Sequence, residues 1–302
     1  SHNGRIHGQM HPLRSDDGGT VTGRFSYSTP NLQQVPARDP ELGPLIRGLF
    51  VPEEGCLWGA FDYSQQEPRL TVHYAALTNQ PGAQNAVEQY RDQNADFHQI
   101  VADMANIPRK QAKDINLALS YGMGKKKLIS MLGISDNEAE DLIAKYHHRV
   151  PFVKALADSC MRNASNRGHV TTLLGRKCRF NLFEPRGQRN IPLAYPEASE
   201  KWGEENIVRS YTYKALNRLI QGSAADMTKK AMVDLYKEGY VPHVQVHDEL
   251  DISVETKQQA KEIKEIMENC VQLEVPNLVD AELGTTWGNA TTSYEEAFNE
   301  RD

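Results

Sequence analysis

The sequence predicts an α+β fold, a small sheet domain interrupted by a long helical block. Three observations carry this. The apolar run Cys56–Phe61 stops abruptly on Asp62, the pattern of a buried strand with a carboxylate at its exit. Two β-type runs within residues 243–254 flank His247-Asp248-Glu249, which reads as a hairpin with acids at its bend. Between these strands, residues 65–165 are mainly helical in pattern, and a further helical stretch is expected from about 205 to 238.

Residues 1–55 are rich in Gly, Ser, Pro and Asn and read as short extended pieces. Ile107-Pro108 opens a helix with proline in its first turn, and Gly122-Met123-Gly124 closes it. Gly133-Ile134-Ser135-Asp136 starts another, with Ser135 as N-cap. Residues 170–200 read as irregular. A helix at about 256–272 and a strand near 277–283 complete the fold. No internal repeat is visible.

The chain has 302 residues, 39% of them hydrophobic, and a mean hydropathy of −0.60, the profile of a soluble globular protein. No run approaches the roughly 18 apolar residues of a membrane span, and the polar start Ser1–Arg5 is not a signal peptide. Cys56, Cys160, Cys178 and Cys270 are scattered, which fits a reducing intracellular setting without disulfides or a zinc site. His2, His7 and His11 read as solvated histidines. A net charge of −6 argues weakly against a nucleic-acid partner. Against it stand two basic clusters: Arg109, Lys110, Lys113, Lys125, Lys126 and Lys127, then Arg176, Lys177 and Arg179.

Asp62 and Asp248 each sit where an apolar strand meets a turn. A carboxylate there is costly unless it is paired or binds a cation, and two from separate strands could hold divalent ions between them. Hard oxygen ligands suit Mg²⁺, and two such ions would clamp both oxygens of an in-line phosphoryl displacement. The plain alternative is that each aspartate caps a turn. Arg109, Lys113, Leu117 and Tyr121 recur every four residues, one helical face over about 18 Å of rise. Cations in the first turns oppose the macrodipole, and an anion near that end would resolve the conflict. The plain alternative is a basic surface helix.

Taken together these pieces resemble the DNA polymerase I family (family A). Thr22-Gly23-Arg24-Phe25-Ser26 and Pro30-Asn31-Leu32-Gln33-Gln34-Val35-Pro36 resemble its TGR…PNLQNIP segment. Asp62-Tyr63-Ser64-Gln65-Gln66-Glu67-Pro68-Arg69 is similar to motif A, usually DYSQIELR. Arg109, Lys113 and Tyr121-Gly122 have the spacing of motif B. Asn217 with Gln221–Asp226 resembles the QGSAAD helix, and Val246-His247-Asp248-Glu249 motif C. The motifs run in family order from about residue 5 to 290.

The resemblance implies a palm, with a small antiparallel sheet and helices, at 1–71 and 206–302. An inserted, mainly helical fingers subdomain would occupy 72–205. It implies template-directed transfer of nucleotides from dNTPs to a primer 3′-OH with two Mg²⁺ ions, Mn²⁺ being a substitute. Asp62, Asp248 and the Tyr63 carbonyl would bind metal, with Glu249 in support. Arg109, Lys113 and His98 would contact the phosphates, Lys113 also as general acid. Gln65, Glu67, Leu117 and Tyr121 complete the nucleotide site, Glu67 excluding a 2′-hydroxyl. Arg24, Asn31, Gln33, Gln221 and His247 would touch primer–template DNA, checking pair shape without reading sequence.

Gln66 and Pro68 depart from the motif A pattern, so a different local backbone is expected there. Leu117 stands where the family has an aromatic residue. Only about twenty residues precede the Thr22 segment, so the family's thumb and exonuclease portions are expected in cis or as a separate chain. The implied setting is the cytoplasm of a bacterial or phage-infected cell, with an organelle left open. Two other readings stand beside this one, a single-subunit RNA polymerase and a non-catalytic DNA-binding subunit. Glu67 and the QGSAAD segment weigh against the first; intact Asp62, Lys113 and Asp248 weigh against the second.

Overall fold

The computed structural model describes residues 3–13, 18–37, 39–91, 96, 98–99, 102–103, 106–109, 112–113, 115–116, 124–188 and 190–299. The N-terminal region forms strands β1 (Gln9–His11) and β2 (Ser26–Ser28), a 3-10 turn at Leu32–Gln34 and a short helix α1 (Leu42–Arg47). Strand β3 (Leu57–Tyr63) follows, then helices α2 (Gln66–Leu77) and α3 (Ala83–Arg91). Pro68 lies in the first turn of α2, whose N–H groups have no intrahelical acceptor, so the helix runs unbroken through the departure from motif A. Helices α4 (Lys125–Leu132), α5 (Asp136–Arg149) and α6 (Pro151–Arg167) come next. Ser135 caps α5 as expected, in a capping box with Glu138.

Several expectations are corrected. Gly124 is the N-cap of α4, and Gly122 and Met123 lie outside the described residues. The segment read as irregular holds β4 (His169–Thr171), β5 (Lys177–Arg179), β6 (Leu182–Pro185), β7 (Leu193–Ala194) and helix α7 (Tyr195–Trp202). These strands are two to four residues long, too short for periodicity to register. The helix expected from about 205 begins only at Ala215, as α8 (Ala215–Lys237). Before it, Ile207–Arg209 forms β8, where β-branched Ile207 and Val208 favour a strand, and Tyr211 turns the chain with φ 60°. Then come β9 (Val244–Val246), β10 (Glu249–Val254), α9 (Lys257–Asn269), β11 (Val279–Gly284), β12 (Thr292–Ser293) and α10 (Tyr294–Ala297).

The chain divides into two compact units, residues 1–66 with 221–302, and residues 67–220. The first is built on a five-stranded antiparallel sheet in the order β12-β11-β3-β10-β9. Side chains alternate across its faces with period two. One face is dry: Phe61, Leu250, Ile252, Val254, Val279 and Leu283 are buried there, and α9 buries Ile263 and Met267. Opposite Leu57 and Phe61, the alternate residues Trp58 and Ala60 join Tyr27, Leu32, Val244 and Trp287 in a second core. Asp62 continues that alternate row. The second unit is mainly helical, with a two-stranded sheet β4-β5 and a three-stranded sheet β7-β6-β8. No described helix is long and apolar enough to cross a membrane.

Candidate active site

In the first unit, Asp62 is the penultimate residue of β3, and Asp248 lies in the two-residue loop between β9 and β10. The sheet register brings them together: Glu249 pairs with Asp62, and the backbone N–H of Tyr63 donates to the Asp248 carbonyl at 3.4 Å. On the other side of β3, Asp280 pairs with Asp62. Directly paired residues share a face, so Glu249, Asp62 and Asp280 form an acidic row across three strands. The Tyr63 side chain points the other way and is fixed, its hydroxyl donating to the Met267 carbonyl at 2.8 Å. Burial pushes that phenol well above its usual range.

His247, the first residue of the β9–β10 loop, has φ 57°, a conformation L residues rarely adopt and one that hairpin turns demand. Gln245 holds it there. The buried Gln245 amide donates to the His247 carbonyl at 2.6 Å, and its own oxygen accepts from Gln33 Nε2 at 3.0 Å. Gln33 and His247, two expected DNA contacts, are thus joined by a residue the sequence reading missed. Its signal was a polar residue between Val244 and Val246. Asn31 spends its side-chain oxygen capping the 3-10 turn through the Gln33 N–H, at 3.1 Å. Arg24 is half-buried beside the Gly23 turn, and Gln221 is half-buried on α8.

Two further carboxyls stand behind the turn. Glu249 accepts from Trp287 Nε1 at 3.4 Å, and Asp251, fully buried, accepts from Trp58 Nε1 at 2.8 Å. Asp251 Oδ2 is buried without a hydrogen-bond partner among the described residues. Burial, reinforced by the Glu249 charge, pushes the Asp251 carboxyl well above the usual range.

In the second unit, Arg109 and Lys113 are both helical and exposed, one turn apart. Pro108 immediately precedes the first helical residue, and its carbonyl accepts from the Ala112 N–H at 3.0 Å. Asp96 organises this region. One carboxylate oxygen accepts from the backbone N–H groups of His98 (3.0 Å) and Gln99 (3.2 Å), the other from Arg109 Nε at 2.6 Å. Burial pushes the Asp96 carboxyl up, but these donors outweigh it and hold it below the usual range. His98, expected at the phosphates, is only 4% exposed, with Nδ1 3.0 Å from Asn116 Nδ2. Tyr146 in turn donates to Asn116 Oδ1 at 3.1 Å. Lys125, counted in the basic cluster, is paired with Asp136 at 2.6 Å. Glu67 is half-buried in α2, and Gln65 precedes it with φ 53°. Leu117 and Tyr121 lie outside the described residues.

Among the described residues no group of three or more His, Cys, Asp or Glu could hold a metal ion by itself. Asp62 and Asp248 nonetheless fit a hard divalent cation, because Mg²⁺ takes one or two carboxylates and fills its other positions with water and substrate phosphates. Arg109 and Lys113 fit phosphate oxygens.

A sequence profile described as DNA polymerase family A matches residues 1–289. The chain belongs to DNA polymerase family A. Among its relatives, a DNA-directed DNA polymerase of Pseudomonas phage M6 is 40% identical over 95% of this chain and 47% of its own length. The thermostable DNA polymerase I of Thermus aquaticus is 34% identical over 94% of this chain and 33% of its own. The polymerase domain of Pol1 from M. smegmatis, solved with DNA primer-template and dNTP, superposes with a TM-score of 0.77 at 28% identity. That match covers 96% of this family A chain and 49% of the solved one. The chain thus spans about half, or less, of the length of these relatives.

Proposed function

We propose that this chain carries the nucleotidyl-transfer centre of a DNA-directed DNA polymerase. In the reaction, the primer 3′-hydroxyl oxygen bonds to the α-phosphorus of a dNTP, and pyrophosphate leaves. Residues 1–71 and 206–302 act as the palm and 72–205 as the fingers. The observation that carries the reading is the register that brings Asp62 and Asp248 to one end of the sheet from opposite ends of the chain.

Members of family A are metal-dependent, and two Mg²⁺ ions, or Mn²⁺ in their place, supply Lewis-acid activation and charge neutralisation when bound. Asp62, Asp248 and the Tyr63 carbonyl hold them, and Glu249 supports Asp248. Arg109 and Lys113 neutralise the phosphates, with His98 behind them ordering the region through Asn116. Lys113 gives its proton to the departing pyrophosphate. Gln65, Glu67, Leu117 and Tyr121 shape the nucleotide site, and Glu67 leaves no room for a ribose 2′-hydroxyl. Arg24, Asn31, Gln33, Gln221 and His247 line the primer–template path. The proposed partners are primer–template DNA, dNTPs and a thumb with an exonuclease portion. The proposed setting is the cytoplasm of a bacterial or phage-infected cell.

The test is primer extension with Asp62→Ala and Asp248→Ala. Each abolishes extension and leaves DNA binding nearly intact, because the metals stabilise transition-state charge rather than the DNA complex. Retention by Asp248→Ala of more than roughly a few per cent of activity, beyond what loss of a metal clamp allows, overturns the assignment.

A further inference from the structure

Trp58 and Trp287, both nearly fully buried, lie stacked with ring centroids 5.8 Å apart and planes 21° apart. Each donates its indole N–H to one carboxyl of β10, Trp58 to Asp251 and Trp287 to Glu249. The two acids are two residues apart on one strand, so they share a face, and Glu249 is the cross-strand partner of Asp62. The stack is itself anchored. The Arg47 guanidinium sits 4.2 Å from the Trp287 ring centroid, and Phe50 meets that ring edge-on at 5.3 Å. The Trp287 backbone N–H donates to the Phe50 carbonyl at 3.0 Å. Gly288 has no room for a side chain: a Cβ there would stand 2.4 Å from the Pro44 carbonyl oxygen and 2.6 Å from Gly48 N. Backbone thus meets backbone where α1 presses on the Trp287 turn.

A buried carboxyl is expensive, and an apolar residue at position 251 would fill the second core at less cost. Neutral indole N–H donors hold both carboxyls in place, and the Arg47 guanidinium over the Trp287 ring supplies the nearby positive charge. We infer that Trp58 and Trp287 are positioning residues. By clamping Asp251 and Glu249 they fix the start of β10 and with it the loop that carries Asp248. The inference rests on the reading of Asp248 as a metal ligand.

The test uses a Trp202→Phe background, so that fluorescence reports Trp58 and Trp287 alone. Trp287→Phe keeps a ring but loses the donor; Glu249→Ala removes the acceptor. Mn²⁺ affinity is read from the fluorescence titration and by calorimetry without DNA, and single-turnover extension gives the rate and the dNTP KM. Trp287→Phe is expected to weaken Mn²⁺ binding and slow turnover, each by roughly 10-fold or more, as loss of a partner behind a ligand does, at unchanged dNTP KM. In the Glu249→Ala background the same change should have little further effect. Independent, multiplying losses, or unchanged affinity and rate with native near-UV circular dichroism, overturn the inference. If Trp287→Phe does not fold, the decision passes to position 251. Asp251→Leu should lose rate and metal affinity, and Asp251→Asn, which keeps an acceptor for Trp58, should recover both. Equal values for the two variants overturn the inference. An active Asp248→Ala would sink the metal reading itself. An inactive Asp248→Ala beside a fully active Trp287→Phe sinks only the positioning role.

Discussion

Lys113 offers two separable capacities on its exposed helical face, a charge and a proton. Lys113→Leu removes both and should slow the chemical step by about 10²–10⁴-fold, the usual size of a general-acid contribution. Lys113→Arg keeps the charge but binds its proton too tightly to give it up, so it should remain slow. Single-turnover rates equal to those of the wild type for the Arg variant would leave only a phosphate contact. The residues legible in the sequence were those whose chemistry conflicts with their surroundings. Asp62 ends an apolar run, and Arg109 opposes a helix dipole. Asp96, Gln245 and Trp58 were not legible, because their roles lie in partners far away along the chain. Asp96 is 13 residues from Arg109, and Trp58 is 193 residues from Asp251.

Strand β3 carries Asp62 through the centre of the sheet, and Gly59 sits inside it with almost no room. A Cβ there would lie 2.7 Å from Phe61 Cε2 and 2.8 Å from Val254 Cγ2, both on buried side chains. Gly59→Ala should therefore cost about 1–3 kcal/mol, the usual price of overpacking. It should weaken extension as well, since the strain is relieved along the strand that holds Asp62; a lower urea midpoint with full activity would show that the strain is absorbed elsewhere. Helix α5 gives a prediction with a pH signature. The Ser135 hydroxyl and backbone N–H hold the Glu138 carboxyl below its usual range. A lowered folded-state value means that this contribution is present above the unfolded value, about 4.3, and is lost as pH falls through the folded value. Ser135→Ala should lower Tm by about 2–4 °C near pH 7, as loss of a typical cap does, and by less toward pH 3. A difference that does not change with pH would mean that the box contributes only its Ser135 half. This N-cap was legible because a capping box is local. The start of α8 was not, because the strand Ile207–Arg209 is only three residues long, too short for its β-branched residues to stand out, and is completed by pairing with β6.

On the scale of the whole molecule, the chain spans about half of the phage relative it matches. Backbone contacts supply most non-specific DNA affinity, and a thumb would add many of them. Residues 1–302 assayed by themselves should bind primer–template more weakly, and add fewer nucleotides per encounter, than the same residues joined in cis or in trans to a further segment that holds the DNA backbone. Long products from this chain alone in the presence of trap DNA would contradict that. The α+β class was legible because the apolar strand runs and the long helical block stand apart in the sequence; the order of strands was not, because register is a non-local property. That order sets a schedule during synthesis. Among the described residues, strand β3 pairs with β10 and β11, both of which lie beyond residue 248. At ribosomal rates of about 5–20 residues per second, Asp62 emerges roughly 10–40 s before the last residue of β11. For that interval the nascent chain exposes a central, apolar, unpaired strand, so a chaperone that shields extended segments should be found on it until translation passes Gly284.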